Sequence, residues 1–138
     1  VSLFYGSYHE VDSSEMAFKI AGSLAFKKAM EQCKPIILEP IMNVEVRIPE
    51  EYLGSVIGDL NSKRGQVMGM ESDGKYQIIK AQAPLGEMHR YSIDLRSIVH
   101  GKGSYIMRLS HYAEAPPDVA KKIIETSDRK PRTAEEEE

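Results

Sequence analysis

The sequence predicts an α+β protein, in which a partial βαβ unit with a long helix is followed by a ferredoxin-like βαββαβ sandwich with an antiparallel sheet. Two observations predict this class. Residues 13–33 have a helical pattern of apolar side chains that ends before Pro35. Residues 41–115 then follow the order strand, helix, strand, strand, helix, strand. Two βαβ halves of this kind form an antiparallel sheet with both helices on one face.

The first segment combines a polar loop with the long helix. Residues 3–8 predict the end of a strand that leads into this loop. Asp12 is expected to cap the helix, and Glu15, three residues later, to reach back to the backbone N–H of the cap. After the helix, residues 36–38 predict a short buried return strand, and Pro40 is expected to be the hinge into the next segment.

The second segment begins with a strand in which apolar and polar side chains alternate. Its apolar residues should share the buried face of the sheet: Met42, Val44, Val46 and Ile48. Pro49 stands where a helix would begin, and Gly65 where its C-cap would lie. The apolar residues between them recur at helical spacing: Leu53, Val56, Ile57 and Leu60.

The following elements complete the second βαβ half. Residues 66–71 and 76–83 predict strands joined by a tight turn at 72–75. A second helix, ending near Gly101, is marked by Met88, Tyr91, Leu95 and Ile98. In the last strand the apolar set is expected to be buried: Tyr105, Met107 and Leu109.

The C-terminal end has a different composition. The pair Pro116–Pro117 breaks the chain, and residues 116–126 predict a short closing helix. Residues 127–138 end in four glutamates and predict a disordered acidic tail.

Composition excludes several classes of protein. No apolar run approaches the ~20 residues that a membrane span needs, so no membrane partner is predicted. Cys33 is the single cysteine, which excludes a disulfide framework and favours a cytoplasmic location. The formal net charge is −3, and no basic block indicates nucleic-acid binding. His89, His100 and His111 are not spaced as metal ligands, and residues 101–104 lack the spacing of a phosphate-binding loop.

A second kind of evidence lies in the run GSYHEVDSSEMAFKIA at residues 6–21. Further blocks follow in order: GSLAFK at 22–27, LEPIM at 38–42, PEEY at 49–52, VIGDLN at 56–61, RGQ at 64–66, GME at 69–71, DLRS at 94–97 and HY at 111–112. The chain up to about residue 124 thereby resembles the bacterial translation elongation factor G family. The resemblance implies that residues 1–39 are the end of a fourth domain and residues 40–115 a ferredoxin-like fifth domain, with the GTPase domain missing.

The resemblance also implies binding residues. A tip loop would contact RNA and tRNA near the decoding region, through Ser7, Tyr8, His9 and Glu10. Four further residues are candidate contacts to ribosomal RNA: Arg96, Ser97, Lys63 and Arg64. From the residues alone, Arg96 and Ser97 could equally lie on a solvated helix face, and Lys63 and Arg64 could merely complement a helix dipole.

The expected partners are the ribosome, with the rRNA of both subunits, tRNA and mRNA, and the missing N-terminal domains of the same protein. No catalytic residue, metal site or cofactor is predicted within this chain; GTP and Mg²⁺ are expected in the missing GTPase domain. Two alternatives are a paralogous ribosomal GTPase, of the recycling or ribosome-protection type, and a stand-alone ferredoxin-like small-molecule-binding module. An RNA-recognition motif is disfavoured, because residues 77–83 offer no aromatic side chain to stack on bases.

Overall fold

The computed structural model of the protein describes residues 1–127, which fall into two compact units with the division between Ile36 and Ile37. The division therefore lies three residues before the predicted start of the second domain at residue 40. Apart from Ser127, the predicted acidic tail lies outside the described residues.

The first unit contains one helix, α1, at Glu15–Gln32. Its N-cap is Ser14, whose hydroxyl accepts a hydrogen bond from the backbone N–H of Ala17 at 3.1 Å. The predicted cap at Asp12 is therefore wrong. Glu15 is the first helical residue instead of the third, so it cannot close a capping box, and it pairs with Lys19 at 2.8 Å.

The predicted strand at residues 3–8 is wrong: residues 1–14 contain no strand. A strand needs a neighbour to satisfy its backbone N–H and C=O groups. No other described residue of the first unit forms a strand that could supply them.

The second unit has the predicted βαββαβ order, followed by a C-terminal helix. Its main elements are β1 (Leu38–Pro49), α2 (Leu53–Ser62), β2 (Gln66–Asp73), β3 (Tyr76–Pro84), α3 (Tyr91–Ile98), β4 (Ser104–Glu114) and α4 (Pro117–Thr126). Short 3₁₀ turns at Glu50–Tyr52 and Leu85–Glu87 precede α2 and α3. The sheet order is β2-β3-β1-β4, and every neighbouring pair is antiparallel. The ferredoxin-like prediction is confirmed.

The core lies on one face of this sheet, beneath α2 and α3. Val44, Val46 and Ile48 are fully buried, as the alternation predicted. They form one cluster with side chains of both helices: Val56, Leu60, Tyr91 and Leu95. Since α2 and α3 contribute to the same cluster, both cover the same face of the sheet.

Strand β4 follows the predicted pattern only in its first half. Tyr105 and Met107 pack against the core, but Leu109 is 54% exposed, so its predicted burial is wrong. Leu109 pairs with Met42, next to a shift in the β1–β4 register between Ile41 and Met42. The core thins at this end, because Met42 is itself only partly buried.

The start of β1 also differs from the prediction. Residues 36–38 do not form a separate buried strand: Leu38 is the first residue of β1 and is 53% exposed. Pro40 lies inside β1, opposite Tyr112 of β4, and is not a hinge. A proline fits there because β3 pairs with β1 only from Ile41 onward, so β1 has one neighbour at this point.

Candidate functional site

The tip loop is exposed and held by short-range hydrogen bonds at the start of α1. The backbone N–H of His9 donates to Ser13 Oγ at 2.9 Å, and the backbone N–H of Ser13 donates to the carbonyl oxygen of His9 at 3.0 Å. This reciprocal pair closes the turn immediately before the N-cap, Ser14. The loop backbone is therefore fixed relative to the helix.

The His9 side chain is 69% exposed, and one of its ring nitrogens is engaged. Nδ1 accepts a hydrogen bond from the backbone N–H of Val11 at 3.3 Å and lies 3.5 Å from Asp12 Oδ2. In the neutral ring, an accepting Nδ1 places the proton on Nε2. Nε2 is then a donor with no partner among residues 1–127, and it can serve a phosphate or hydroxyl oxygen.

Tyr8 supplies an aromatic surface beside this donor. Tyr8 is 70% exposed. The centroid of its ring lies 6.5 Å from the ring centroid of Phe18, and the angle between the two ring planes is 11°. Ser7 and Glu10 are exposed as well. The structure thus brings the four predicted residues of the tip loop together on one accessible loop that can stack on a base or ribose and donate hydrogen bonds.

Lys63 and Arg64 end helix α2 in a Schellman motif. The N–H of Gly65 donates to the carbonyl of Leu60 at 2.8 Å, and the N–H of Arg64 donates to the carbonyl of Asn61 at 3.2 Å. Arg64, with φ of 57°, is the left-handed residue of this motif. The predicted C-cap at Gly65 is therefore wrong, because Lys63 is the cap and Arg64 takes the conformation that usually favours glycine.

The Arg64 guanidinium pairs with two carboxylates, those of Glu39 and Glu87. Nη1 and Nη2 donate to the two oxygens of Glu39 at 2.8 and 2.9 Å, and Nε donates to Glu87 at 3.3 Å. These bonds, those to Glu39 above all, raise the pKa of Arg64. Glu39 is the one charged residue among the buried side chains of residues 1–127. The Arg64 guanidinium is therefore already engaged in ion pairs within the second unit.

Lys63 is paired in the same way. Its ammonium lies 3.0 Å from Asp59 Oδ1 and 3.0 Å from Asp94 Oδ2, and its side chain is only 16% exposed. Burial alone would lower the pKa of Lys63, but the hydrogen bonds to Asp94 and Asp59 outweigh it and raise that pKa. Neither Lys63 nor Arg64 presents an unpaired cation, and their contact with RNA stays a prediction.

Arg96 and Ser97 lie on the exposed side of α3. Asp94, two residues before Arg96, is engaged by Lys63. The Arg96 guanidinium has no ion pair or hydrogen bond within residues 1–127. Of the four candidate rRNA residues, the structure therefore leaves only this cation free.

A cavity of about 280 Å³ adjoins Arg96, and its lining includes Gly101, Gly103 and Ser104. Sequence reasoning excluded residues 101–104 as a phosphate-binding loop and did not predict this association with Arg96. The available signal was the short distance along the chain, because Gly101 comes only three residues after Ile98, the last residue of the helix that carries Arg96. Lys102 is exposed and its ammonium has no partner among the described residues, but it is not one of the residues that line the cavity.

Two further kinds of feature are absent from the described part of the chain. Residues 1–127 contain no group of three or more His, Cys, Asp or Glu side chains that could hold a metal ion. Within the same range, no helix combines the length and apolar character needed to cross a membrane.

Comparisons with known proteins agree with this two-part organisation. A family model described as elongation factor G, domain IV, matches residues 1–34, and one described as elongation factor G C-terminus matches residues 36–123. Elongation factor G of Aquifex pyrophilus is 59% identical over 124 residues, which cover 90% of this chain and 18% of the relative. A crystal structure of a Thermus thermophilus protein aligns with a TM-score of 0.76 and 46% identity, covering 88% of this chain and 18% of that one. The chain belongs to the elongation factor G family and spans about a fifth of the length of these relatives.

Proposed function

We propose that this chain is the C-terminal arm of an elongation factor that promotes GTP-dependent translocation of tRNA and mRNA on the ribosome. Residues 1–39 form the end of the fourth domain and residues 40–115 the fifth. GTP and Mg²⁺ bind in the GTPase domain of the longer protein, and this arm itself performs no chemistry. Its partners are the rRNA of both subunits, tRNA, mRNA and the N-terminal domains, and its place is the cytoplasm.

The observation that carries this proposal is the exposed, hydrogen-bonded tip loop in a chain of this family. The loop offers a donor at His9 and a ring at Tyr8, and its backbone is braced against a helix of 18 residues. A braced loop can transmit a rigid-body domain movement to whatever it touches, whereas a loose one would yield. The arm would thus move tRNA while the free energy comes from GTP hydrolysis elsewhere.

His9→Ala in the full-length protein is expected to slow tRNA movement about tenfold, which corresponds to about 1.4 kcal/mol of lost transition-state stabilisation. Ribosome-stimulated GTP hydrolysis should stay near the wild-type rate, because the GTPase site is in another domain. Rapid-kinetic measurement of translocation and of phosphate release on the same ribosomes separates the two steps.

His111→Ala is the matched control, since His111 is an exposed histidine of β4 outside the tip loop. It should move tRNA at the wild-type rate. Translocation at full speed in the His9 variant would remove His9 from the mechanism and leave the loop without its main donor.

The second contact that we propose is between α3 and rRNA phosphates, through Arg96 and Ser97. An arginine that pairs with a phosphate releases a counterion, so Arg96→Gln should reduce the slope of log affinity against log salt by about 1. Binding of full-length variants to ribosomes across a salt series measures this slope.

Lys63→Gln serves as the comparison, because its ammonium is already held by Asp59 and Asp94. We expect it to lower stability but leave the salt slope unchanged. A reduced slope for Lys63→Gln, with none for Arg96→Gln, would reverse the assignment of the two cations.

The alternatives are less well supported. A small-molecule-binding module would not explain consecutive matches to two regions of one longer factor. A recycling or ribosome-protection paralogue would share the fold, but both matching family models are those of elongation factor G.

A further inference from the structure

The chain enters the second unit through a short stretch of β1 that has only one neighbouring strand. Leu38, Glu39 and Pro40 pair with β4, whereas β3 pairs with β1 only from Ile41 onward. A shift in the β1–β4 register between Ile41 and Met42 separates this stretch from the rest of the ladder. Pro40 also lacks an N–H group that could donate to a neighbouring strand. Few backbone hydrogen bonds are therefore available to hold the start of β1.

An ion pair holds the same stretch to the rest of the second unit. The Glu39 carboxylate accepts hydrogen bonds from Arg64 Nη1 and Nη2 at 2.8 and 2.9 Å, and its side chain is only 11% exposed. Arg64 directly follows the C-cap of α2, and its Nε donates to Glu87 in the 3₁₀ turn before α3 at 3.3 Å. The start of β1 is thereby tied to the end of α2 and to the turn that leads into α3.

A backbone hydrogen bond anchors the chain one residue before β1. The N–H of Ala115, a residue that is 5% exposed, donates to the carbonyl oxygen of Ile37 at 2.9 Å. Ile37 is the first residue of the second unit. The anchored part of the chain therefore begins at the boundary of the unit itself.

The three residues before this anchor lack such contacts. Residues 34–36 belong to no helix or strand, and their backbones form no hydrogen bond within residues 1–127. Lys34 has a left-handed backbone with φ of 51°, a conformation that is unfavourable for a residue other than glycine. Hinges in proteins consist of a few such residues at the ends of elements, which absorb changes in φ and ψ.

We propose that Glu39 and Arg64 are positioning residues of the arm: their ion pair keeps residues 37–40 attached to the second unit and confines the hinge between the two units to residues 34–36. This inference rests on the proposed function, in which the arm transmits a rigid-body movement. Without the ion pair, the free segment would extend to the register shift next to Ile41. A longer free segment would absorb movement that a short hinge passes on.

Glu39→Gln tests the ion pair by amide hydrogen exchange in the whole 138-residue chain. The substitution keeps the shape of the side chain but leaves one acceptor oxygen for the two N–H groups of Arg64, and it removes the charge. We expect the Ala115 amide to exchange about tenfold faster, because the segment that carries its acceptor, Ile37, is released. The amide of Val99, a fully buried residue, reports on the stability of the whole unit and should change less.

Arg47→Ala is the matched control for this measurement. It breaks the ion pair between Arg47 and Asp73, 3.0 Å apart, near the other end of β1. The Ala115 amide should exchange at the wild-type rate in this variant. Equal effects of the two substitutions on Ala115 would overturn the proposal. So would an Ala115 amide that Glu39→Gln accelerates no more than the Val99 amide.

Backbone NMR relaxation of the unmodified chain tests the position of the hinge without relying on any variant. The amides of Ile37, Leu38 and Glu39 should have order parameters of about 0.85, the value of rigid backbone. Those of Lys34 and Ile36 should lie below about 0.6. Low order parameters as far as residue 41, or high ones from α1 through to β1, would overturn the proposal.

In the full-length protein, Glu39→Gln should slow tRNA movement several-fold and leave ribosome-stimulated GTP hydrolysis at the wild-type rate. Arg47→Ala should change neither. Hydrogen exchange in the isolated chain does not depend on the ribosome, so a failure of the ion pair and a failure of the proposed function give different results. Translocation at the wild-type rate in a Glu39→Gln protein whose Ala115 amide is released would overturn the positioning role.

Discussion

Arg64→Ala should lower the free energy of unfolding by about 3 kcal/mol. The substitution removes both hydrogen bonds to Glu39, whose side chain is only 11% exposed, and the bond to Glu87. A carboxylate that is left buried without its partner keeps its desolvation cost and gains nothing in return. Urea unfolding followed by circular dichroism would show a lower midpoint with an unchanged slope.

Matched variants separate this pair from ordinary surface charge. Lys80→Ala breaks an exposed pair with Glu71, and we expect it to lower the free energy of unfolding much less than Arg64→Ala does. Arg64→Lys should recover little, since a single ammonium cannot reproduce the two parallel bonds to Glu39. A cost of Arg64→Ala as small as that of Lys80→Ala would contradict the buried-pair interpretation.

The left-handed backbone of Arg64 allows a further test of the buried ion pair, by substitution with glycine. A left-handed non-glycine residue costs about 1–2 kcal/mol, so Arg64→Gly would relieve strain while it removes the guanidinium. The sequence keeps arginine there despite the strain, and we attribute this to Glu39 and Glu87. Arg64→Gly should therefore also be destabilised, but by less than Arg64→Ala.

Features with a regular period were predictable from the sequence. The alternation in β1 identified Val44, Val46 and Ile48 as core, and the helical spacing identified Val56 and Leu60. The order of elements then led to the sheet topology, because few arrangements connect two βαβ halves without strain. These predictions depend on burial patterns that each element carries by itself.

Predictions failed where a distant or competing partner decides the outcome. The pairing of Lys63 with Asp94 and of Arg64 with Glu39 depends on how α2 packs, and spacing along the chain does not reveal it. At the start of α1, Asp12 and Ser14 are both residue types that can cap a helix. The turn between His9 and Ser13 ends immediately before Ser14, and Ser14 is the N-cap. Local chemistry allows both outcomes in each case.

The candidate site was predictable only through the resemblance. Composition argued against RNA, with more acidic than basic side chains. The structure adds what the charge balance does not contain: Lys63 and Arg64 are paired internally, whereas Arg96 has no partner among residues 1–127. Local availability of a cation, rather than net charge, decides whether it can meet a phosphate.

Gly65→Ala is the second large effect that we expect, a loss of about 2 kcal/mol. A Cβ atom at this position would lie 2.7 Å from the carbonyl oxygen of Leu60, closer than real Cβ atoms approach. The same oxygen accepts the hydrogen bond from the Gly65 N–H at 2.8 Å, so relief of the clash would disturb the end of α2. Glycine is thus needed for close approach and not for a left-handed backbone, which Arg64 provides.

Gly58→Ala in the middle of α2 gives the opposite result if this reasoning holds. Gly58 is exposed, and a Cβ there would meet nothing within 4 Å, so alanine should stabilise the helix by about 0.5–1 kcal/mol. The two substitutions add the same methyl group, one inside α2 and one two residues after its C-cap, yet they should shift the unfolding midpoint in opposite directions. Stabilisation by both would mean that the backbone at residues 60–65 adjusts freely, and the rigid placement of Arg64 against Glu39 would then lose its structural basis.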